Sequence, residues 1–234
     1  MPVSKTSARR VDAQHRPPSV PPSSPLSHSL APAPAPSRLW LDFVNTDTAA
    51  QATRGDLLRD FDTLLTWLSG NGALDDERAS GIRRRAALQP AAAAASLVDA
   101  RRVRAALRVL AERGHASPRV CDDAVTEINR VLGRSAGTRR VDRHATGEFM
   151  RAFVPTGDAF AGLMIPLVDS AADALVTGEL ARVRRCADTR CYRVFVDSTK
   201  NGQRRWCDMG TCGNRAKAAR HRAKQLARAV RTRG

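Results

Sequence analysis

The chain has 234 residues, of which 42% are hydrophobic and 4% aromatic, and its formal net charge at pH 7 is +16. This length allows one medium-sized domain and a small one, and the positive charge favours a polyanionic partner such as nucleic acid. The sequence has no run of about 20 apolar residues and no secretory signal, so we expect a cytoplasmic protein without a membrane partner, whose cysteines stay reduced.

The positive charge is concentrated near the C-terminus. Residues 181–234 contain 16 Lys and Arg against three Asp, a net charge of +13, which leaves a net charge of +3 for residues 1–180. A general enrichment in arginine would spread the charge along the chain. The local excess therefore indicates a functional surface.

Residues 1–37 are rich in proline, serine and alanine, and they hold nine of the 13 prolines of the chain. Such a segment buries too little apolar surface to offset the entropy lost on ordering, so we expect a disordered tail. The next segment, RLWLDFVNT, is either a short strand or the first turn of a helix. Among its polar residues, Asp42, Asn45 and Thr46, we expect Asp42 or Thr46 to cap a helix.

Apolar residues at helical spacing then predict a series of helices. The first lies in GDLLRDFDTLLTWLSGNG, with Asp56 as its cap and Gly70 at its end. Two more lie in DDERASGIRRRAAL and in AAAASLVDARRVRAALRVLAERG, the second ending at Gly114. In SPRVCDDAVTEINRVLGR, a serine cap followed by proline, and a glycine near the end, predict a fourth helix.

The remainder of this helical region contains two further predicted elements. The segment TRRVDRHATGEFMRAFV predicts a small hairpin over residues 138–154, with its turn at Thr146 and Gly147. A last helix is expected over about residues 158–183, and Pro166 should kink or split it.

Four of the five cysteines follow the spacing Cys186-x4-Cys191-x15-Cys207-x4-Cys212. Two close pairs separated by a loop can place four thiolates around one zinc ion. Between the pairs, YRVFVD and QRRWC have the composition of strands and flank STKNG, whose Asn-Gly favours a hairpin turn. This order predicts a zinc ribbon or a treble clef, and in a treble clef the last ligand lies in the first turn of the C-terminal helix.

A unit of about 50 residues with few large apolar side chains is too small to be stable by its core alone. One structural Zn²⁺ supplies on the order of 10 kcal/mol of folding free energy. The alternative is a redox sensor in which the four thiols form disulfides under stress. The fifth cysteine, Cys121, is expected to be a small buried apolar residue.

The C-terminal helix is expected to pack one face inward and to present cations on the rest. The inward face is predicted at Ala216, Ala219, Ala223, Leu226 and Val230. The candidate nucleic-acid contacts, on this helix and on the loop before it, are Asn214, Arg215, Lys217, Arg220, Arg222, Lys224, Lys200, Arg204 and Arg205. Asparagine pairs with adenine and arginine with guanine, so the first two are candidates for contacts with base edges.

The segment RRWCDMGTCGNRAKAARHR resembles the C-terminal CGNR zinc finger of bacterial proteins, named for the tetrapeptide that begins here at Cys212. The segment RRCADTRCYRVFVDSTKNGQ resembles the same module and includes the first ligand pair. Upstream, RLWLDFVNT and LLTWLSGNGAL resemble the helical domain that accompanies this finger, a domain associated with stress-induced transcription regulation. The resemblance implies a metal-binding, DNA-binding transcription regulator.

We therefore expect a mainly α protein with three parts: the tail at 1–37, a helical regulatory domain with a small β-hairpin at 38–183, and a CGNR-type zinc finger at 184–234. Its expected function is zinc-dependent, nucleoid-associated DNA binding, while the helical domain senses a signal or mediates association, for example as a homodimer. The sequence contains no carboxylate pair, Ser/His/Asp set or phosphate-binding glycine loop, so we expect no enzyme. An RNA-binding protein, or a redox or zinc sensor acting through a protein partner, remains the alternative.

Overall fold

A computed structural model of the chain describes residues 38–47, 55–134, 136–143, 149–158 and 160–231. The expected tail and the turn at Thr146 and Gly147 lie outside these residues. The helices and strands of the described residues, in chain order, are α1 (Leu39–Val44), α2 (Phe61–Gly70), α3 (Asp76–Leu88), α4 (Pro90–Ala111), α5 (Pro118–Arg134), β1 (Gly137–Arg143), β2 (Phe149–Pro155), α6 (Ile165–Val176), β3 (Val183–Arg185), β4 (Val194–Val196) and α7 (Asn214–Arg231).

The first ordered segment is a helix, α1, and not a strand. Trp40, Phe43 and Val44 lie three and four residues apart and are all buried, because this spacing places them on one helix face. Asp42 is exposed in the first turn, and no side chain caps the start of the helix. The hydroxyl of Thr46 donates to the carbonyl of Phe43 at 2.7 Å, so Thr46 acts at the other end of the helix.

Helix α2 ends at Gly70 as predicted, but its cap is Asp60 and not Asp56. The carboxylate of Asp60 accepts the backbone N–H of Thr63 at 2.7 Å. Asp56 is drawn inward instead, because its two oxygens accept the guanidinium of Arg104. The helix therefore begins four residues later than the sequence predicts.

The following three helices are confirmed as α3, α4 and α5. Helix α4 ends at Ala111, before the predicted Gly114, and a 3₁₀ turn follows at Arg113–His115. Helix α5 begins at Pro118 as predicted. Cys121 in α5 is half-buried against the core, so it is less enclosed than expected.

The predicted hairpin is formed by β1 and β2, which pair antiparallel from Gly137 opposite Pro155 to Arg143 opposite Phe149. The helix predicted over about residues 158–183 is shorter than expected, and Pro166 neither kinks nor splits it. Helix α6 begins at Ile165, and Pro166 lies in its first turn, where a missing backbone N–H costs nothing.

The core forms around α4, against which α1, α2, α3 and α5 pack, and α6 closes it by packing on α1 and α5. Its largest fully buried side chains are Trp40, Phe43, Leu58, Leu64, Leu65, Leu68, Leu107, Ile165, Leu167, Val44, Val103 and Val168. The valines of β3 and β4 belong to the same cluster, so the start of the C-terminal module is packed on the helical core. Within the described ranges, no helix combines the length and apolarity that crossing a membrane requires.

Arg104 and Asp56 form a largely buried ion pair within the helical region. The Arg104 side chain is 7% exposed, and its guanidinium donates to both oxygens of Asp56 at 2.7 and 2.5 Å and to Thr46 at 3.0 Å. Burial raises the pKa of Asp56, but hydrogen bonds from Arg104 and from the backbone N–H of Leu58 outweigh it and hold the pKa below its usual value. The pair fixes the chain segment before α2 onto α4.

We predict that Asp56→Ala lowers the free energy of unfolding by about 3 kcal/mol, because it leaves a buried guanidinium without its carboxylate. The matched control is Asp62→Ala, which removes an exposed ion pair with Arg83 and should cost less than about 1 kcal/mol. Urea unfolding measures both. Since the Asp56 pKa is lowered, its contribution should vanish as the pH falls below about 4. Equal effects of the two variants would contradict the prediction.

Candidate metal centre and nucleic-acid interface

The first cysteine pair lies in the connection between β3 and β4. These strands pair antiparallel, with Val183 opposite Val196 and Arg185 opposite Val194. The backbone N–H of Cys186 donates to Arg193 at 2.9 Å, which closes the connection. The short ladder therefore presents both thiols of the first pair on one side.

The hairpin predicted between YRVFVD and QRRWC is wrong, because residues 203–207 form no strand and β4 pairs with the upstream β3. The cause is the buried Asp197. Its carboxylate accepts the backbone N–H groups of Thr199 at 2.9 Å and Arg204 at 2.8 Å, and the chain loops around it. The predicted Asn-Gly turn is formed within this loop, with Gly202 at a φ of +61°.

The four sulfur atoms of Cys186, Cys191, Cys207 and Cys212 all lie within 4.8 Å of one another. The Sγ of Cys207 is 3.6 Å from that of Cys191 and 3.8 Å from that of Cys212. Tetrahedral zinc with Zn–S bonds of about 2.3 Å requires sulfur atoms about 3.8 Å apart. The donor set therefore fits one Zn²⁺ and leaves no open position on it.

The protonation of the thiols depends on their mutual proximity. Burial and the neighbouring thiols of Cys191 and Cys186 raise the pKa of Cys212 to about 11, and burial raises the pKa of Cys207 well above its usual value. Burial also acts on Cys186, but backbone N–H groups of Cys207 and Asp188 outweigh it and lower its pKa. A divalent cation would favour the thiolate form at all four positions.

The side of the cysteine cluster is closed by aromatic residues, since Phe195 and Trp206 pack on the thiols. The guanidinium of Arg204 lies 4.8 Å from the centre of the Phe195 ring and donates to the carbonyls of Trp206, at 2.9 Å, and Cys207. Arg204, a predicted nucleic-acid contact, is thus held within the finger by hydrogen bonds to the chain that carries the second ligand pair.

Cys212 lies in a π-helical turn, Met209–Gly213, that runs directly into α7, close to the predicted position of the last ligand. Asp208 caps this turn by accepting the backbone N–H of Thr211 at 2.7 Å. A Cβ on Gly213 would lie 2.7 Å from the sulfur of Met209, so glycine allows the turn to close with Met209 in place.

Asn214 and Arg215, the predicted base-edge contacts, both have partners within the module. The side-chain amide of Asn214 donates to the carbonyl of Gly210 at 3.0 Å. The guanidinium of Arg215 pairs with Asp188 at 2.6 Å, and Asp188 lies between the two cysteines of the first pair with its side chain only 8% exposed. This ion pair ties the start of α7 to the other half of the metal centre.

The prediction that α7 packs an apolar face inward is wrong. Leu226 and Val230 are 68% and 73% exposed, and Ala219 and Ala223 are exposed as well. The main contact of α7 is with the π turn, and the helix extends beyond the metal centre, where no described element lies beside it.

Four of the cations predicted to contact nucleic acid lie on the exposed part of α7. Lys217, Arg220 and Lys224 recur at helical spacing on one side, and Arg222 lies on another; all four are exposed. None of the four forms an ion pair with a residue that the structure describes. Lys200 and Arg205 are also exposed, at an open groove of about 650 Å³ that Trp206 helps to line.

The three aspartates among residues 181–234 have structural roles that their sequence positions alone did not predict. Asp188 holds Arg215, Asp197 organises the loop between the cysteine pairs, and Asp208 caps the π turn. For Asp197 and Asp208 the sequence contains a local signal of this role. Each lies two or three residues before a threonine, a spacing typical of a turn or helix cap that the aspartate side chain closes.

Two family models match the chain. The CGNR zinc finger matches residues 182–225. The ABATE model, described as "Putative stress-induced transcription regulator", matches residues 37–179, more than half of the chain. A search of curated proteins finds no match. The finger and the cysteine cluster together support one zinc ion.

We predict that zinc binding by the metal-free protein at pH 7 releases at least two protons. Cys207 and Cys212 have raised pKa values, so both are protonated before the metal binds and ionised afterwards. Isothermal titration calorimetry in buffers of different ionisation enthalpy measures this number, and zinc affinity should fall as the pH falls. A buffer-independent enthalpy would show that the thiols are already ionised.

Proposed function

We propose that this chain regulates transcription by zinc-dependent binding to duplex DNA. The chain belongs to the ABATE family, described as "Putative stress-induced transcription regulator", and it carries a CGNR zinc finger. In this proposal residues 184–234 form the finger that contacts DNA. Residues 38–183 form the helical domain that senses a signal or mediates association, including a homodimer.

The observation that carries the proposal is the unpaired charge on α7. No acidic residue occurs after Asp208, and Lys217, Arg220, Arg222 and Lys224 are exposed without an ion pair to any described residue. The helix has 18 residues and is about 27 Å long, and an α-helix of this kind fits the major groove of B-DNA.

Several arginines of the helical domain are instead paired with carboxylates, and this contrast supports a specific role for α7. Arg38, Arg83, Arg104, Arg108 and Arg130 each form an ion pair with a neighbouring carboxylate. Unpaired cations on one surface repel one another, so their concentration on α7 favours binding to a polyanion. Lys200 and Arg205 would extend the same surface to phosphates beside the groove.

Zinc contributes to this function by fixing the direction of α7. Cys212 lies in the turn that begins the helix, and Arg215 pairs with Asp188 in the first half of the finger. Without the metal the four thiols lose their common partner, and the helix loses its rigid attachment. Any contact of Asn214 and Arg215 with base edges remains a prediction.

We expect the triple variant Lys217→Ala/Arg220→Ala/Lys224→Ala to weaken binding of the full chain to a random DNA duplex. The plot of log affinity against log salt should become less steep, its negative slope decreasing in magnitude by about 2 to 3. The reason is that each lost phosphate contact removes about 0.9 from this slope. The matched control, Arg59→Ala/Arg84→Ala/Arg85→Ala, removes three exposed cations from the helical domain and should leave the slope unchanged.

Fluorescence anisotropy across a salt series measures this slope, with zinc bound and after chelation. Equal slopes for the two triple variants would refute a role for α7. An RNA hairpin provides the comparison for the first alternative, because tighter hairpin binding would favour an RNA-binding protein. Negligible binding to either nucleic acid at physiological salt, with zinc released by mild oxidation, would favour the sensor acting through a protein partner.

A further prediction separates the two roles of Arg215. Asp188→Asn and Arg215→Ala break the same ion pair, so we expect both to loosen the start of α7, and the loss on random duplex measures this effect together with the change in charge. The measurement is repeated on a preferred site selected from a random pool. A loss on that site that is larger for Arg215→Ala than for Asp188→Asn would assign a base contact to Arg215.

A further inference from the structure

Strand β4 is shared between two clusters of buried side chains. Val194 and Val196 belong to the core of the helical domain, together with Trp40 and Phe43. Phe195, which points to the opposite side, packs with the cysteines of the finger. The strand that follows the first ligand pair is therefore covered on one face by the helical domain.

A side chain of the helical domain also binds the backbone of this strand. Asn45, the residue directly after α1, donates its amide N–H to the carbonyl of Val194 at 3.0 Å. Its carbonyl oxygen accepts the backbone N–H of the same residue at 2.9 Å. One side chain thus satisfies both polar backbone groups of Val194, as a neighbouring strand would.

A second contact lies next to the ligand itself. The guanidinium of Arg108 donates to the carbonyl of Tyr192, the residue after Cys191, at 2.9 Å. The same group donates to the carbonyl of Val44 at 2.9 Å and pairs with Glu112 at 3.0 Å. With its side chain only 19% exposed, Arg108 joins the end of α1 to the chain beside Cys191.

From these contacts we infer that Asn45 and Arg108 are positioning residues of the zinc centre, supplied by the helical domain. They fix residues 192–194 and so set where the thiol of Cys191 lies relative to the other three. Metal binding and the conformation at the end of α1 are then coupled, and by thermodynamic linkage each stabilises the other.

The first test compares two asparagines in the full chain. Asn45→Ala removes both hydrogen bonds to Val194 and should weaken zinc binding about 10-fold, the lower end of the effect of supporting residues around metal ligands. Asn71→Ala is the matched control, because Asn71 also follows a helix and its side chain binds the carbonyl of Trp67 at 2.7 Å, within α2. It should leave zinc affinity unchanged.

Competition with a chromogenic zinc chelator measures both affinities, and circular dichroism checks that helix content is retained. Zinc affinity that is unchanged in both variants, or reduced equally in both, would overturn the inference. Neither measurement involves nucleic acid. The coupling between Asn45 and the zinc centre can therefore be refuted while DNA binding is confirmed, and DNA binding can be refuted while this coupling is confirmed.

The second test uses the unmodified chain and decides the matter if Asn45→Ala does not fold. Hydrogen exchange followed by mass spectrometry is compared with zinc bound and after chelation. We expect amide exchange at residues 43–46 to become faster when zinc is removed, while exchange in α2 stays the same. Unchanged exchange at residues 43–46 would show that the metal and the helical domain are independent, and would refute the inference.

Discussion

The finger depends on one constraint, the crowding of four thiols within 4.8 Å of one another. In the absence of a cation, burial and the neighbouring thiols of Cys191 and Cys186 raise the pKa of Cys212 and so disfavour its ionisation. A bound Zn²⁺ reverses this effect and makes the same proximity favourable. The connection between β3 and β4 carries Cys186 and Cys191, and the turn before α7 carries Cys212. A bound metal would therefore join these segments, in addition to the contacts made by Asp188, Asp197 and Asp208.

Charge is used in two ways along the chain. In the helical domain, Arg104 and Arg108 are mostly buried and bind carboxylates and backbone carbonyls, so their charge stabilises the fold. In the finger, Arg204 and Arg215 do the same at the metal centre. Lys217, Arg220, Arg222 and Lys224 of α7 form no ion pair with a residue that the structure describes. A net charge of +13 in residues 181–234 thus includes structural arginines, and the surface left for a polyanion is smaller than composition alone indicates.

The sequence predicts best what depends on neighbouring residues. The four cysteines come together as their spacing predicts, because each pair needs only a tight turn to reach one ion. The helices of the core follow from the spacing of their apolar residues. The predicted strand at residues 203–207 fails because the carboxylate of Asp197 captures the backbone of Arg204, a contact across seven residues. The inward face of α7 fails because an apolar stripe indicates what a helix could bury, and not whether a partner lies beside it.

Asn45 shows the limit of a local interpretation most clearly. Next to a short helix, Asp42 and Thr46 have the chemistry of caps, and local rules assign Asn45 nothing more specific. Its partner, Val194, is 149 positions away, on the strand that follows the first ligand pair. No periodicity or spacing connects the two segments, and tertiary structure alone brings them together. The family models match the helical domain and the finger as separate segments, 37–179 and 182–225, yet β4 has one face in each cluster. A change in the packing of α1 would therefore act first on the backbone beside Cys191, which gives the helical domain a direct physical route to the metal centre and, through Cys212, to α7.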